Sequence, residues 1–151
     1  SEERCNMNKI FKLILVLSLL IFSAVSISGC SSEKEKIAKE YTGVWRADKP
    51  SSIMAFQHYF VIKPNQSNEN ILDITDISFS KYENNDPEPA GISNANAIID
   101  EKTKTVKMPD WANTPLVITY ENDKKFIKYN GIKYIKISDE PKVPELKDIK
   151  F

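Results

Sequence analysis

Cys5, Cys30 and His58 are the only cysteines and the only histidine of the chain, and they bound the chemistry open to it. Zinc sites draw on several Cys or His ligands, so this supply argues against one. His58 lies in the run Phe56-Gln57-His58-Tyr59-Phe60-Val61-Ile62, where strand alternation puts it on one face with Phe56, Phe60 and Ile62. It is read as an interior polar group or as part of a cavity wall. A Ser-His-Asp triad needs a serine held against the imidazole and an acid orienting it. No Gly-x-Ser-x-Gly elbow supports one here, and the chain is expected to be non-catalytic. Its four glycines, Gly29, Gly43, Gly91 and Gly131, are too dispersed to form a phosphate-cradling loop. The acidic stretch Tyr82–Gly91 (YENNDPEPAG) offers carboxylates but lacks the ordered spacing of a calcium loop. It reads as a solvated loop, and no metal or cofactor is expected.

The residues suited to binding are aromatic. Trp111 sits in a loop bracketed by Pro109 and Pro115, either as a lid on the folded domain or as a recognition residue, since loop aromatics often anchor interfaces. Together with His58, Phe56, Phe60 and Tyr134 it makes up the set of candidate partner- or ligand-binding residues. The lysines between Lys124 and Lys136 suit anionic lipid headgroups or an acidic partner or, the reading preferred, protect sheet edges from edge-to-edge association. The formal net charge of zero argues against nucleic acid as a partner.

These residues must be placed by what surrounds them, and the first part of the chain is not built to fold. Met7-Asn8-Lys9-Ile10-Phe11-Lys12 carries two lysines and no acid, and residues 13–27 (LILVLSLLIFSAVSI) carry no charge. A basic start, an apolar stretch shorter than the ~20 residues of a spanning helix, and small residues at its end describe a helical secretory signal segment. Residues 1–6, Cys5 among them, precede the plausible start at Met7 and are set aside.

Ile27-Ser28-Gly29-Cys30 resembles the lipobox of bacterial lipoproteins: an aliphatic residue, two small residues and a cysteine. The resemblance covers the signal segment and Cys30. It implies cleavage between Gly29 and Cys30, with diacylglycerol on the Cys30 thiol and an acyl group (such as palmitate) on its new amino terminus. Each buried acyl methylene contributes ~0.8 kcal/mol, so two or more chains anchor stably where one binds reversibly. The expected location is the extracytoplasmic face of the cell membrane or the outer membrane. Ser31 stands where the family's inner-membrane retention signal would be Asp, which resembles outer-membrane sorting in a Gram-negative host. With Cys30 acylated and residues 1–29 removed, neither disulfide nor thiol chemistry remains.

The rest divides into a charged tether over residues 30–40, a β-domain over 41–138 and an extended tail over 139–151 marked by Pro141 and Pro144. At 41% hydrophobic and 28% charged, the 151-residue chain suits one globular domain. Its apolar clusters are short, rich in Ile, Val, Phe and Tyr, and bounded by turn residues. They predict strands at 41–47, 56–62, 71–79, 95–99, 103–108, 116–120, 125–129 and 132–137. A phase change near Thr75-Asp76 predicts a bulge. Asn130-Gly131 predicts a two-residue type I′ hairpin pairing Tyr129 with Ile132 and Ile127 with Tyr134. The fold class is therefore all-β: a small antiparallel meander of seven to eight strands, closed as a barrel or packed as a two-layer sandwich.

Gly43-Val44-Trp45 on the first strand is similar to the opening motif of lipocalin-like barrels, a resemblance that implies a tryptophan closing one barrel end. Two functions follow as expectations. One is a non-catalytic, membrane-anchored module that binds a protein of the cell envelope. The alternative is a lipocalin-like carrier of a small apolar ligand held among Phe56, Phe60 and Tyr134.

Overall fold

The computed structural model describes residues 31–50, 55–112 and 114–151. The expected signal segment, Gly29 and Cys30 lie outside the described residues. The chain begins with a helix, α1 (Glu33–Tyr41), and continues through eight strands: β1 (Gly43–Ala47), β2 (Phe56–Pro64), β3 (Ile71–Ser80), β4 (Glu88–Asp100), β5 (Thr105–Lys107), β6 (Pro115–Glu121), β7 (Lys124–Tyr129) and β8 (Ile132–Ser138). Each strand pairs antiparallel with the next, and β8 returns to β1, so the all-β expectation resolves to a closed barrel rather than a sandwich.

Part of the segment assigned to the tether is this helix. Ser32 caps it, its hydroxyl accepting from the Glu35 amide at 3.1 Å, and Glu33 and Glu35 sit in the first turn where the helix dipole favours acids. Ile37, Ala38 and Tyr41 share one face and are buried with the barrel interior. A nine-residue helix is marginal alone; burial of this face holds it in place. Tyr41, expected at the start of β1, is instead its last residue. The helix closes the barrel end that carries the β4–β5 turn, with Lys34 near Glu101 and Lys104 near Glu33.

Gly43 makes the corner into β1. It holds a φ of +134°, and a Cβ there would run into the Ser138 carbonyl of β8. Trp45 is wholly buried at the helix-capped end, donating Nε1–H to the Tyr41 carbonyl at 2.8 Å. At Asn130-Gly131 both residues take positive φ (48° and 77°), and the register pairs Tyr129 with Ile132 and Ile127 with Tyr134, as expected. Asn122-Asp123 turns in the same way between β6 and β7.

Two further expectations about the strands are corrected. No bulge occurs at Thr75-Asp76: both residues stay in register with β2 and β4, and the irregularity lies on the β4 side at Ser78/Phe79. The apolar phase changes because β3 is buried on both faces in turn. Leu72 and Ile74 point into the barrel, whereas Ile77 and Phe79 join Val44, Tyr59, Val61 and Ile149 in a second core on its outside. The tail builds that second core. After Pro144 it makes a 3-10 turn at Leu146–Asp148, buries Ile149 and donates the Lys150 amide to the Tyr59 hydroxyl at 3.3 Å. The other correction is β4, which starts at Glu88 rather than near residue 95, inside the stretch read as a loop. From Glu88 to Asn94 it is exposed on both faces, so it lacks the alternation by which a half-buried strand is recognised.

Candidate functional site

Antiparallel connection puts the β3–β4, β5–β6 and β7–β8 loops at the end of the barrel opposite α1. The interior face changes character along its length. Near α1 it is aliphatic, with Ile62, Leu72, Ile74, Ala97 and Val106. Toward the open end β2 and β3 contribute His58, Asp76 and Ser78 to the same inward face, with His58 directly opposite Ser78 and Phe60 opposite Asp76.

The β5–β6 loop delivers Trp111. Pro109 starts a 3-10 turn over Pro109–Trp111, which suits its fixed φ. Ala112, at φ +56°, ends it. The Trp111 amide donates to the Met108 carbonyl at 3.1 Å, and its carbonyl accepts from the Thr114 amide at 3.2 Å. The half-buried indole packs on the barrel core with Tyr129. Its ring centroid is 6.3 Å from that of Phe60 and 6.3 Å from that of Tyr129. Phe60 meets Tyr129 edge-on at 5.6 Å and stacks on Tyr134 at 4.4 Å. Such pairs contribute about 0.5–1.5 kcal/mol each beyond area burial.

Trp111, Phe60 and Tyr134 thus converge on one aromatic cluster. Tyr129 completes it; as the residue just before the Asn-Gly turn, cross-strand from Ile132, it was placeable in register but carried no signal of a site. His58 borders the cluster. Its Nδ1 is 3.6 Å from Oδ1 of Asp76, a buried oxygen that accepts no hydrogen bond among the described residues. Burial, and after it the negative charge of Asp76, pushes the Tyr134 hydroxyl well above the ordinary tyrosine range. Phe56 is half-buried on the same strand face but belongs to no aromatic pair among the described residues. At that separation the imidazole and carboxylate lie within ion-pair distance without forming a hydrogen bond. No group of three or more His, Cys, Asp or Glu side chains converges among the described residues.

The two lysines of β8 have partners of their own. Lys133 pairs with Glu121 and lies over the Phe126 ring at 4.9 Å; Lys136 meets Asp139 at 2.6 Å and lies over Trp45 at 5.4 Å. Strands β7 and β8 are each paired on both sides. They are not sheet edges, and the edge-protection reading of these lysines is withdrawn.

At the opposite end Tyr41 joins helix to wall. Its hydroxyl donates to the Leu116 carbonyl at 2.9 Å and accepts from the Ile118 amide at 3.2 Å. β5 and β6 pair at only two positions, Val106–Leu116 and Lys107–Pro115, so the phenol continues a ladder that the short strand cannot. Burial pushes its pKa up to about 12. Outside the barrel, Ile77, Phe79, Pro89, Ile92, Val143 and Leu146 line an apolar groove of about 490 Å³ between the β3–β4 ribbon and the tail.

No family model, no curated protein and no solved structure matches this chain. No described helix is long and apolar enough to cross a membrane.

Proposed function

We propose that this chain is a lipid-anchored protein of the bacterial cell envelope, acylated on Cys30, whose barrel is a non-catalytic module binding another envelope protein through its open end. The observation that carries the binding reading is the cluster of Trp111, Phe60, Tyr129 and Tyr134. It presents a half-buried tryptophan on a loop that packs against the barrel end, the kind of residue on which interface energy concentrates. The short tether supports the arrangement. Cys30 precedes Glu33, the first residue of α1, by only three positions, so at ~3.5 Å per extended residue a lipid there would tether the domain by a linker of roughly 10 Å. The Phe60–Tyr134 stack favours this reading over the carrier, because the two rings occupy each other's faces rather than line a void.

Two experiments test it. Feeding cells an alkyne fatty acid should label the wild-type chain and not Cys30→Ala, which should also leave the membrane fraction or accumulate uncleaved; equal labelling of both refutes the anchor. Replacing Trp111 by a photo-cross-linking phenylalanine analogue in intact cells should trap one discrete adduct, and the same analogue at exposed Tyr120 should not. Identical adduct patterns at both positions refute the open end as the binding surface.

A further inference from the structure

The barrel closes, yet one strand outruns its neighbour. β4 pairs with β3 from Glu88 to Ile98 but with β5 only from Ile98 to Asp100. From Glu88 to Ala97 its far side has no ladder partner among the described residues. In an antiparallel pair every second residue turns its N–H and C=O away from the partner strand; the Pro109–Trp111 turn packs against β4, but from Glu88 to Asn94 the strand is exposed and offers its unpaired donors and acceptors to an extended backbone. Proteins ordinarily blunt such an edge with lysine, charge or proline. Here Pro89 and the nearby bulge guard its first residues, and Gly91-Ile92-Ser93-Asn94-Ala95-Asn96-Ala97 carries no charge in a chain that is 28% charged. Ile92, at 69% exposure, is the most exposed large apolar residue in the described structure. It faces outward beside Ile77 and Phe79, at the rim of the apolar groove.

We infer that the β4 edge is a self-association surface, occupied by the same edge of a second copy in an antiparallel pair about a two-fold axis at Ile92. Self-pairing suits this segment in charge. With Ile92 opposite Ile92, Gly91 falls opposite Ser93 and Ala90 opposite Asn94. Glu88, the one charged residue of the free stretch, falls opposite Asn96, so no like charges meet. The register also removes the two most exposed isoleucines from water against each other, directly opposite, where cross-strand apolar pairs contribute most. Two-fold pairing is the commonest form of self-association and needs one self-complementary patch.

The test uses the full-length chain in membranes, with the cross-linked peptide identified by mass spectrometry so that Cys5 and Cys30 do not confuse the result. Under mild oxidation Ile92→Cys should give a disulfide between two copies of residue 92. Its yield should be roughly tenfold above those of Ser93→Cys, whose side chain points to the other face, and of Tyr120→Cys, equally exposed but off the strand. In detergent, sedimentation of the purified chain should show a dimer that Ile92→Lys converts to monomer and Tyr120→Lys does not. A yield at Ile92→Cys no higher than at Tyr120→Cys, a maximum at another β4 position, or a wild-type chain that sediments as a monomer overturns the inference. So does trapping of a different protein at residue 92.

Discussion

Phe60 and Tyr134 lie face to face inside the barrel, ring centroids 4.4 Å apart and planes 28° from parallel. They come from β2 and β8, which do not pair with each other: β1 lies between them, and small Ala47 on its inward face leaves room for the rings to meet across it. The contact gives the loop of Trp111 a surface to rest on.

Truncating one ring should therefore unfasten that end. Phe60→Ala should lower stability by about 3 kcal/mol, within the usual range for losing a buried phenylalanine, measured by urea denaturation. Trp111 emission should shift to the red as its neighbour is lost. Phe60→Leu, which refills part of the space, should recover more than half of the stability.

The Tyr41 staple predicts alkaline behaviour. Its folded pKa of about 12 lies above the ordinary value of 10, so the folded state holds the phenolic proton more tightly than the unfolded chain does. The stabilisation is complete below pH 10 and lost as pH rises through about 12. Tyr41→Phe keeps the ring and removes the proton. It should be less stable than wild type near neutrality, with the difference shrinking between pH 10 and 12. A constant difference across that window would contradict the account.

Asp100 predicts the acid limb. Its carboxylate accepts from Lys107 Nζ at 2.9 Å and from the amides of Lys102 and Thr103. The Lys107 hydrogen bond, first, and that of the Thr103 amide hold its pKa down to about 2. A depressed folded pKa stabilises the fold above the ordinary value of 3.8 and ceases to do so as pH falls through about 2. NMR titration of the Asp100 carboxyl should show a midpoint near 2, and Lys107→Ala should move it upward toward the ordinary value. The site is exposed to solvent, so the accompanying change in stability should be small and should shrink with added salt.

The tail predicts a stability contribution from residues that look expendable. Ile149 is 8% exposed against Tyr59, Val61, Ile77 and Phe79. Ile149→Ala should cost ~2 kcal/mol, the low end of the buried-isoleucine range, and should raise amide exchange in β2 and β3. Val143→Ala, an exposed neighbour, should change stability by less than ~0.5 kcal/mol.

The strands most legible in the sequence were those with one face in and one face out. β7 and β8 alternate cleanly across Asn130-Gly131, and their register could be written down residue by residue. Of the candidate site residues, His58, Phe60 and Tyr134 could be assigned to the inward face by counting in twos. Legibility failed where the two-residue period carried no contrast. Ile77 and Phe79 face a core supplied by a tail that is distant in the chain, so a local reading took their burial for a bulge. Residues Glu88 to Asn94 are exposed on both faces and looked like loop. Glu33–Tyr41 is mostly charged, and nothing local says that Ile37 and Tyr41 have a barrel end to enter.

Sequence by itself determined the strand grammar and the register of the β7–β8 hairpin, because each depends on residues near one another and on backbone preferences they carry with them. Closure of β8 on β1, capping by α1, the convergence of Trp111, Phe60, Tyr129 and Tyr134, and the unpaired edge of β4 were decided only by the tertiary structure. Each depends on strand lengths and distances between segments far apart in the chain. A strand's length relative to its neighbours is set by how the sheet coils shut, and no local pattern of side chains encodes that.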